Sequence, residues 1–234
     1  MDSKSQRRQG ADRGYYANQL SGERLRQVYE IAPPRVRRYL QAEVDEILKQ
    51  IKTGDKVLEL GCGYGRVMTA LADRAGSVTG IDSSIENLKF ASEFLSPHKN
   101  LRLLAMNAAL LGFADNTFDL TIAIQNGISA FKVPPEKLTE ESLRVTKPGG
   151  RVLLSTYCEK FLEARLEWFV MQSRAGLLGE IDWEKTREGV IVCKDGFSAT
   201  TFSSEQFHQL LKKFDIRYRL FEVDDSSLFC ELIK

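Results

Sequence analysis

Histidine is scarce in this sequence, and cysteine and proline are few. The 234 residues include 2 histidines, 4 cysteines and 6 prolines. We predict His98 in a loop and His208 on an outer helix, so neither suits the role of general base. The cysteines lie far apart with no C-x-x-C pair, which is untypical of zinc sites and of disulfide frameworks. We therefore expect reduced thiols, no metal site and no histidine-based catalysis.

The sequence also lacks a long hydrophobic run and an excess of either charge. No apolar segment approaches membrane-spanning length, and the first residues show no signal-peptide core. The 33 basic and 32 acidic residues leave a net charge of +1, which argues against a dedicated nucleic-acid-binding protein. We expect a cytoplasmic protein, monomeric or homodimeric, with no membrane partner and with nucleic acid disfavoured as a partner.

Glycine is concentrated in a turn near residue 60. An apolar run at residues 57–60 predicts a buried strand, and an amphipathic segment begins at residue 66. Between them Gly61, Gly63 and Gly65 occupy every second position after Glu59. Glycines let a ligand approach the backbone, and the following helix offers unpaired N–H groups. The dinucleotide fingerprint has a different glycine spacing, G-x-G-x-x-G, so this turn suits a ligand that lacks phosphates.

Residues 59–65 resemble the first motif, [ED]-x-G-x-G-x-G, of the class I S-adenosylmethionine (SAM)-dependent methyltransferases. Asp82 ends the next apolar run, where an acid can hold two ribose hydroxyls. The K-P-G-G turn at residues 147–150 is another family feature. The resemblance extends from about Thr53 to the C-terminus. It implies an α/β fold with a doubly wound, mostly parallel seven-stranded sheet and a C-terminal antiparallel hairpin, with SAM as cofactor and S-adenosylhomocysteine (SAH) as product.

These patterns divide the chain into four predicted segments. Residues 1–52 form an N-terminal tail and cap helices, and residues 53–157 form a Rossmann-like SAM-binding core. Residues 158–201 form an insertion, a helix plus a hairpin with Asp195-Gly196 in its turn, and residues 202–234 add a C-terminal helix and the closing β-hairpin. We expect the insertion to be a lid that selects the substrate; a dimer contact is its alternative role. In the core, Ser83-x-x-Glu86 predicts a capping box that opens a helix.

The resemblance implies a cofactor along the carboxyl ends of the first strands, where ligands bind in open α/β sheets. Gly61 and Gly63 are expected to admit the methionine part of the cofactor, and Asp82 to bind its ribose. Asn107 and the Ala108 N–H are expected to face the adenine. Asn107 replaces an acid of the family pattern, and its amide oxygen can accept the same hydrogen bond. The predicted cofactor-binding residues are Glu59, Gly61, Cys62, Gly63, Asp82, Ser83, Asn107, Ala108 and Gln125.

Methyl transfer from a sulfonium is an in-line displacement, in which the protein mainly positions donor and acceptor. The catalytic residues stay unassigned, and the candidates are Tyr15, Tyr16, Asn126 and Tyr157. The alternative role of Asn126 is purely structural, as a residue that forms a turn. The segment 125–128, Gln-Asn-Gly-Ile, departs from the [DN]-P-P-[YF] motif that acts on base amino groups or glutamine amides. Arg165 and Trp168 are the predicted lid residues on the substrate side.

The sequence therefore predicts an enzyme that moves the SAM methyl group to a nucleophile on a small organic molecule. One alternative is a methyltransferase that acts on RNA or on a protein side chain, using basic residues before the first strand; a solvated helix face explains the same residues. They are Arg24, Arg26, Arg35, Arg37 and Arg38. A non-catalytic SAM-binding subunit is the other alternative, but its motifs would be degenerate, and here the glycine and ribose-acid motifs are intact. The acceptor atom stays open between nitrogen, oxygen, sulfur and carbon.

Overall fold

The computed structural model describes Tyr15 and residues 19–234. A seven-stranded sheet forms its centre, in the order β3-β2-β1-β4-β5-β9-β8. Its strands are β1 (Lys56–Leu60), β2 (Ser77–Asp82), β3 (Leu101–Ala105), β4 (Phe118–Ala123), β5 (Thr146–Tyr157), β8 (Arg217–Val223) and β9 (Ser227–Ile233). A separate two-stranded ribbon pairs β6 (Ile191–Val192) with β7 (Ser198–Ala199).

Helices connect the strands and flank the sheet. They are α1 (Gly22–Glu30), α2 (Pro34–Gln50), α3 (Arg66–Leu71), α4 (Ile85–Phe94), α5 (Gly127–Ala130), α6 (Pro135–Val145), α7 (Leu162–Arg174) and α8 (Ser204–Leu211). A short 3-10 turn, Glu159–Phe161, leads into α7. Among the described residues, none of these helices is both long enough and apolar enough to cross a membrane.

The sheet confirms the predicted fold class. Strands β1 to β5 pair in parallel, and β9 runs antiparallel to both β5 and β8. The strand order reverses between β1 and β4, because β2 lies on one side of β1 and β4 on the other. Such a switch point opens a crevice at the carboxyl ends of the strands. The glycine turn after β1 therefore lies at the place where this fold binds ligands.

The core lies on both faces of the sheet, as alternating strand residues show. Leu58 and Leu60 belong to one apolar cluster, whereas Val57 belongs to the other. Strand β5 behaves in the same way, with Leu154 in the first cluster and Leu153 in the second. A parallel sheet buried on both faces requires near-continuous apolar strands, which these segments supply.

Two local features differ from the sequence prediction. The N-cap of α4 is Ser84, whose Oγ accepts the Asn87 N–H at 3.2 Å, rather than Ser83. Glu86 does not complete a capping box, because its Oε2 accepts a hydrogen bond from Ser21 Oγ at 2.7 Å. The K-P-G-G residues lie inside β5 instead of before it, at a register shift in the β4–β5 pairing.

Helix α1 packs between α4 and the insertion. The Gly22 N–H donates to Asn87 Oδ1 at 2.8 Å on the α4 side. On the other side, Trp168 Nε1 of α7 donates to the Val28 carbonyl at 3.0 Å. Arg24 Nη2 reaches the carbonyls of residues 176 and 177 at 2.8 and 3.1 Å. These contacts join α1 and the insertion into one cap beside the carboxyl ends of the strands.

Candidate functional site

A cavity of about 550 Å³ lies between the cap and the carboxyl ends of β1, β2 and β4. Its lining divides into two halves of different chemistry. The glycine half is formed by the turn after β1 and the ends of the neighbouring strands: Glu59, Gly61, Gly63, Arg66, Asp82 and Asn107. The aromatic half is formed by the cap, by α2 and by the end of β5: Tyr29, Tyr39, Tyr157, Trp168, Phe169 and Phe197.

The turn of the glycine half requires glycine at its first position. Gly61 has φ +70°, and a Cβ built there would lie 2.3 Å from the Phe131 ring. Gly63 also has a positive φ, +53°, and a Cβ there would lie 3.0 Å from Leu25 of α1. Both positions combine a backbone that L residues disfavour with a crowded neighbour. The motif spacing therefore follows from the close approach of α1 and Phe131 to this backbone.

Asp82, at the end of β2, is fixed by the chain around it. Its Oδ2 accepts the Gly63 N–H at 2.9 Å, and its Oδ1 accepts the Ser84 N–H at 2.8 Å. The Asn87 side chain adds a longer hydrogen bond of 3.3 Å to Oδ1. This network orients the carboxylate and joins the glycine turn to the start of α4. Cys62, Ser83 and Ala108 also line this half of the cavity.

Two ionisable side chains of the glycine half have buried atoms without a partner. Glu59 Oε2 and Arg66 Nη2 are both buried and make no hydrogen bond among the described residues. Burial raises the pKa of Glu59 to about 8, although the Arg66 guanidinium opposes the shift. Arg66 lies over the Tyr29 ring, 5.0 Å from its centroid. Unpaired buried charged groups are costly, and a ligand that carries both an ammonium and a carboxylate would satisfy both.

Asn107 lies in the cavity wall, but its amide oxygen already accepts the Ala109 N–H at 2.8 Å. The sequence assigned this oxygen to an adenine amino group. One of its two lone pairs is thus used by a local turn, which the sequence prediction did not include. The neighbouring Ala108 is buried, whereas Asn107 itself is exposed. The structure therefore leaves this contact a prediction.

Gln125 and Asn126 form a strained turn after β4. Both residues have a positive φ, +57° and +66°, a conformation that non-glycine residues seldom adopt. The Gln125 N–H donates to Glu43 Oε2 at 2.6 Å, and Glu43 Oε1 accepts a hydrogen bond from Ser227 Oγ. Burial raises the pKa of Glu43 to about 7. The buried carboxylate thus stabilises the strained backbone beside the cavity, which Gln125 lines.

Asn126, a predicted catalytic candidate, lies outside the cavity lining. Its Nδ2 donates to the Thr200 carbonyl at 3.0 Å, and its Oδ1 accepts a hydrogen bond from Thr156 at 2.9 Å. The side chain is buried and is not part of the cavity lining. Because both ends of the amide are used, Asn126 connects β4, β5 and the insertion. The turn role, which the sequence left open as an alternative, agrees with these contacts.

The other predicted catalytic and lid residues lie at different places. Tyr157 and Trp168 line the aromatic half. Tyr15 is buried outside the cavity wall, where its hydroxyl donates to Asp195 Oδ2 at 2.6 Å. Arg165 is also buried behind the wall, because its guanidinium packs over the Tyr157 ring and donates to the Gly189 carbonyl. Tyr16 lies outside the described residues.

Sequence reasoning missed four residues of this region: Arg66, Phe131, Tyr39 and Glu43. Arg66 directly follows the glycine motif, and that position was the available signal. Tyr39 and Glu43 lie four residues apart on the buried face of α2, together with Val36, Leu40 and Ile47. A glutamate in an otherwise apolar helical stripe is the pattern that could have revealed Glu43. Phe131 had no signal, because its role depends on its distance from Gly61.

Comparison with known proteins agrees with this geometry. The sequence model of a methyltransferase domain family matches residues 57–150, the segment that contains the glycine turn, Asp82 and the K-P-G-G residues. This segment resembles the class I SAM-dependent methyltransferases. The fold resemblance extends further, since the Synechocystis magnesium protoporphyrin IX methyltransferase, solved with bound SAH, superimposes with a TM-score of 0.63 at 18% identity and covers 97% of this chain and 99% of its own.

Similar sequences cover only part of this chain. A demethylmenaquinone methyltransferase of Paenarthrobacter aurescens is 36% identical over 123 residues, which are 53% of this chain and 46% of the relative. A 2-methyl-6-phytyl-1,4-hydroquinone methyltransferase of Synechocystis is 30% identical over 139 residues, 55% of this chain and 42% of the relative. The chain thus spans about half the length of these relatives.

Proposed function

We propose that the protein transfers the methyl group of SAM to a small, largely apolar organic molecule. The observation that carries this proposal is the single cavity in which a glycine half with unpaired charged atoms adjoins an aromatic half. The volume of about 550 Å³ falls within the usual range of small-molecule sites, about 300–1,000 Å³. Both halves open into the same space, as a reaction between two bound molecules requires.

The residues of the glycine half fit the cofactor. Glu59 and Arg66 would hold the ammonium and carboxylate of its amino-acid part, since each presents a buried atom without a partner. Asp82 is oriented to accept hydrogen bonds from ribose hydroxyls. Gly61 and Gly63 leave the backbone accessible beside these side chains. Bound SAM would supply the electrophilic methyl group, and the chain would bind, orient and exclude water.

The aromatic half supports a small organic acceptor. Six aromatic side chains supply its surface, and rings of this kind bind apolar molecules with little loss of side-chain entropy. The relatives named for a demethylmenaquinone and for a hydroquinone agree with an apolar acceptor. A cytoplasmic location, which four free cysteines favour, stays a prediction, as does the oligomeric state.

The RNA alternative loses its main support in the structure. Arg24 binds backbone carbonyls of residues 19, 176 and 177, and Arg37 binds the Ala32 carbonyl. Arg26 pairs with two glutamates of α1, while Arg35 and Arg38 both pair with Asp224. Because each of these arginines already has an acceptor within the protein, they do not form a patch reserved for phosphates.

The proposal is tested with SAM labelled in its methyl group. The protein is incubated with separate pools of small apolar phenols, amines and thiols, with total RNA and with a protein extract. We expect label in solvent-extractable product from a small-molecule pool, and much less when Asp82→Ala replaces the wild type. Label that appears only in RNA or protein would contradict the small-molecule acceptor, and no SAM binding at all would contradict the enzyme assignment.

A further inference from the structure

A buried cation without a carboxylate partner lies behind the aromatic half. Arg165 is 1% exposed and forms no ion pair within the described part of the chain. Its guanidinium packs 4.8 Å from the centroid of the Tyr157 ring and donates to the Gly189 carbonyl, and its Nε has no partner. A buried charge without an opposite charge costs several kcal/mol, so a compensating anion is expected nearby.

Tyr39 supplies a second unsatisfied polar group of this half. Its side chain is fully buried, its ring lines the cavity, and its hydroxyl has no hydrogen-bond partner among the described residues. The Tyr39 and Tyr157 ring centroids are 5.5 Å apart. The Tyr39 ring and the Arg165 guanidinium therefore both pack against Tyr157. A hydroxyl donor beside a positive charge is suited to an oxyanion.

The same half offers no side chain that could remove a proton. No histidine or carboxylate lies among the described residues of its wall. Burial raises the pKa of Tyr157, and it raises that of Tyr39 well above its usual value. Burial likewise raises the pKa of Tyr29. Phenols whose pKa is raised are poor proton acceptors at neutral pH, so an acceptor must enter with its nucleophile already free of a proton.

The titratable groups that face Tyr157 from each packed element favour an anion in the aromatic half. Arg165 lies on α7, Tyr29 on α1, and both Tyr39 and Glu43 on α2. Glu43 is the single carboxylate among them. Both of its oxygens are directed to the Gln125 N–H and Ser227 Oγ, and it does not line the cavity. Arg165 is the cation packed on the Tyr157 ring, and Arg66 and Lys132 line the cavity itself.

We propose that the acceptor is a weakly acidic aromatic alcohol that binds as its oxyanion, with Tyr39 as hydrogen-bond donor and Arg165 as a positioning residue behind Tyr157. This inference deepens the proposed function and rests on it. Methylation of an oxyanion forms a C–O bond, breaks the C–S bond of the sulfonium and yields a neutral ether and a neutral thioether sulfur. No proton moves within the site, in agreement with the absence of a base from its described wall.

The test uses 4-nitrophenol as probe, because its anion and its neutral form have different absorption spectra. The probe is titrated with pH in the presence of the protein–SAH complex, and SAH is chosen since its sulfur carries no charge. We expect the anion to bind at least about tenfold more tightly than the neutral phenol, which lowers the pKa of the bound probe by about one unit. 4-Nitroanisole, which cannot ionise, serves as the neutral shape control.

Variants separate electrostatics from structure. In Arg165→Met the pKa shift of the bound 4-nitrophenol should disappear, and in Arg165→Lys most of that shift should return. Tyr39→Phe should reduce the preference for the anion about tenfold or more, as for one lost hydrogen bond to a charged group, while 4-nitroanisole binds as before. Tyr218→Phe, an exposed tyrosine on β8 outside the cavity, is the matched control. If Arg165→Met fails to fold, the comparison of Tyr39→Phe with the wild type still tests whether the site prefers the anion.

The possible failures are distinguishable. If the wild type binds SAH but the bound probe shows an unchanged or raised pKa, the oxyanion proposal is wrong and the cofactor site stands. The same conclusion follows if the SAH complex binds neither probe. If the wild type does not bind SAH, the proposed function itself fails.

Discussion

The glycine half and the aromatic half of the cavity differ in how the chain builds them. Residues 59–107 supply the whole named set of the glycine half, and its geometry depends on backbone conformation: Gly61 and Gly63 with positive φ, and N–H groups that hold Asp82. The aromatic half gathers side chains from α1, α2, α7, β5 and the ribbon. A site made of backbone leaves a local motif in the sequence, whereas a site made of packed side chains leaves none.

The largest expected effect is in the glycine turn. In Gly61→Ala, the new methyl group meets both a positive φ and the Phe131 ring at 2.3 Å, so SAH binding should fall by more than about 100-fold, since about 3 kcal/mol is sufficient for that loss. Calorimetric titration measures the affinity. Gly149→Ala is the matched control, because Gly149 has φ +77° and open space around it.

Gly149→Ala should lose about 1–2 kcal/mol of stability, roughly the cost of a left-handed L residue, and should bind SAH as the wild type does. Gly61→Ala should lose more stability, because its methyl group also meets the Phe131 ring. Equal SAH binding by Gly61→Ala and Gly149→Ala would contradict the claim that crowding at Gly61 matters for the cofactor site.

The ribose acid is expected to have the next largest effect. Asp82→Ala should weaken SAH binding by about 1–3 kcal/mol, as for hydrogen bonds lost to buried partners, and the loss should be the same with adenosine as the titrant. Asp115→Ala is the control, since Asp115 is exposed and pairs with Arg144 away from the cavity. If Asp82→Ala kept the wild-type affinity for SAH, the ribose would not bind at Asp82.

Much of the glycine half could be predicted from the sequence, and most of the aromatic half could not. Glu59, Gly61, Gly63 and Asp82 were found because strand, turn and acid recur at fixed spacing. Arg165 was predicted to be a lid residue on the substrate side, yet it lies behind Tyr157. Helical spacing predicts which face of a helix a residue occupies, but it does not predict which side chain of another element covers that residue. Tyr39 was overlooked because its position next to Tyr157 arises from tertiary packing alone.

The pH dependence of stability distinguishes Glu59 from surface carboxylates. Its pKa is raised to about 8 by burial, whereas a free glutamate titrates near 4.3. Between these values the folded protein keeps a proton that the unfolded chain has lost, so this group lowers stability progressively as pH rises from about 5 to 8. Glu59→Gln should therefore be more stable than the wild type at pH 8, by on the order of 1 kcal/mol or more.

That difference should vanish near pH 4, where both states are protonated, and denaturant unfolding at several pH values measures it. Glu163→Gln, an exposed position on α7, should show no such trend. The same Glu59→Gln protein should bind SAH more weakly. A stability difference that is independent of pH would contradict a protonated, buried Glu59.

The aromatic half should respond in a different way from the glycine half. Trp168→Phe removes the hydrogen bond to the Val28 carbonyl and should cost about 1 kcal/mol of stability, seen as a lower denaturant midpoint. SAH affinity should change by less than about threefold, because Trp168 does not belong to the glycine half, while 4-nitroanisole binding weakens more. Trp183→Phe, at a position 61% exposed, is the control. A larger loss of SAH affinity than of 4-nitroanisole affinity would contradict the division of the cavity into two halves.

The smallest expected effect concerns the basic helix α2. Arg38 pairs with Asp224 at 2.9 Å but is 65% exposed, so Arg38→Gln should change the free energy of unfolding by less than about 1 kcal/mol. SAH and probe binding should stay unchanged, and binding to single-stranded RNA should be weak in both proteins. Salt-sensitive RNA binding that this substitution reduces would return the RNA alternative to consideration.

The most direct test of the account is calorimetric titration of the wild-type protein with SAM and SAH at neutral pH, repeated in two buffers of different ionisation enthalpy. We predict micromolar binding of both ligands, with release of a proton when the ammonium group of the ligand ionises Glu59. The released proton should be absent from the Glu59→Gln titration. Absence of binding by the wild type would contradict the assignment of the glycine half as a SAM site.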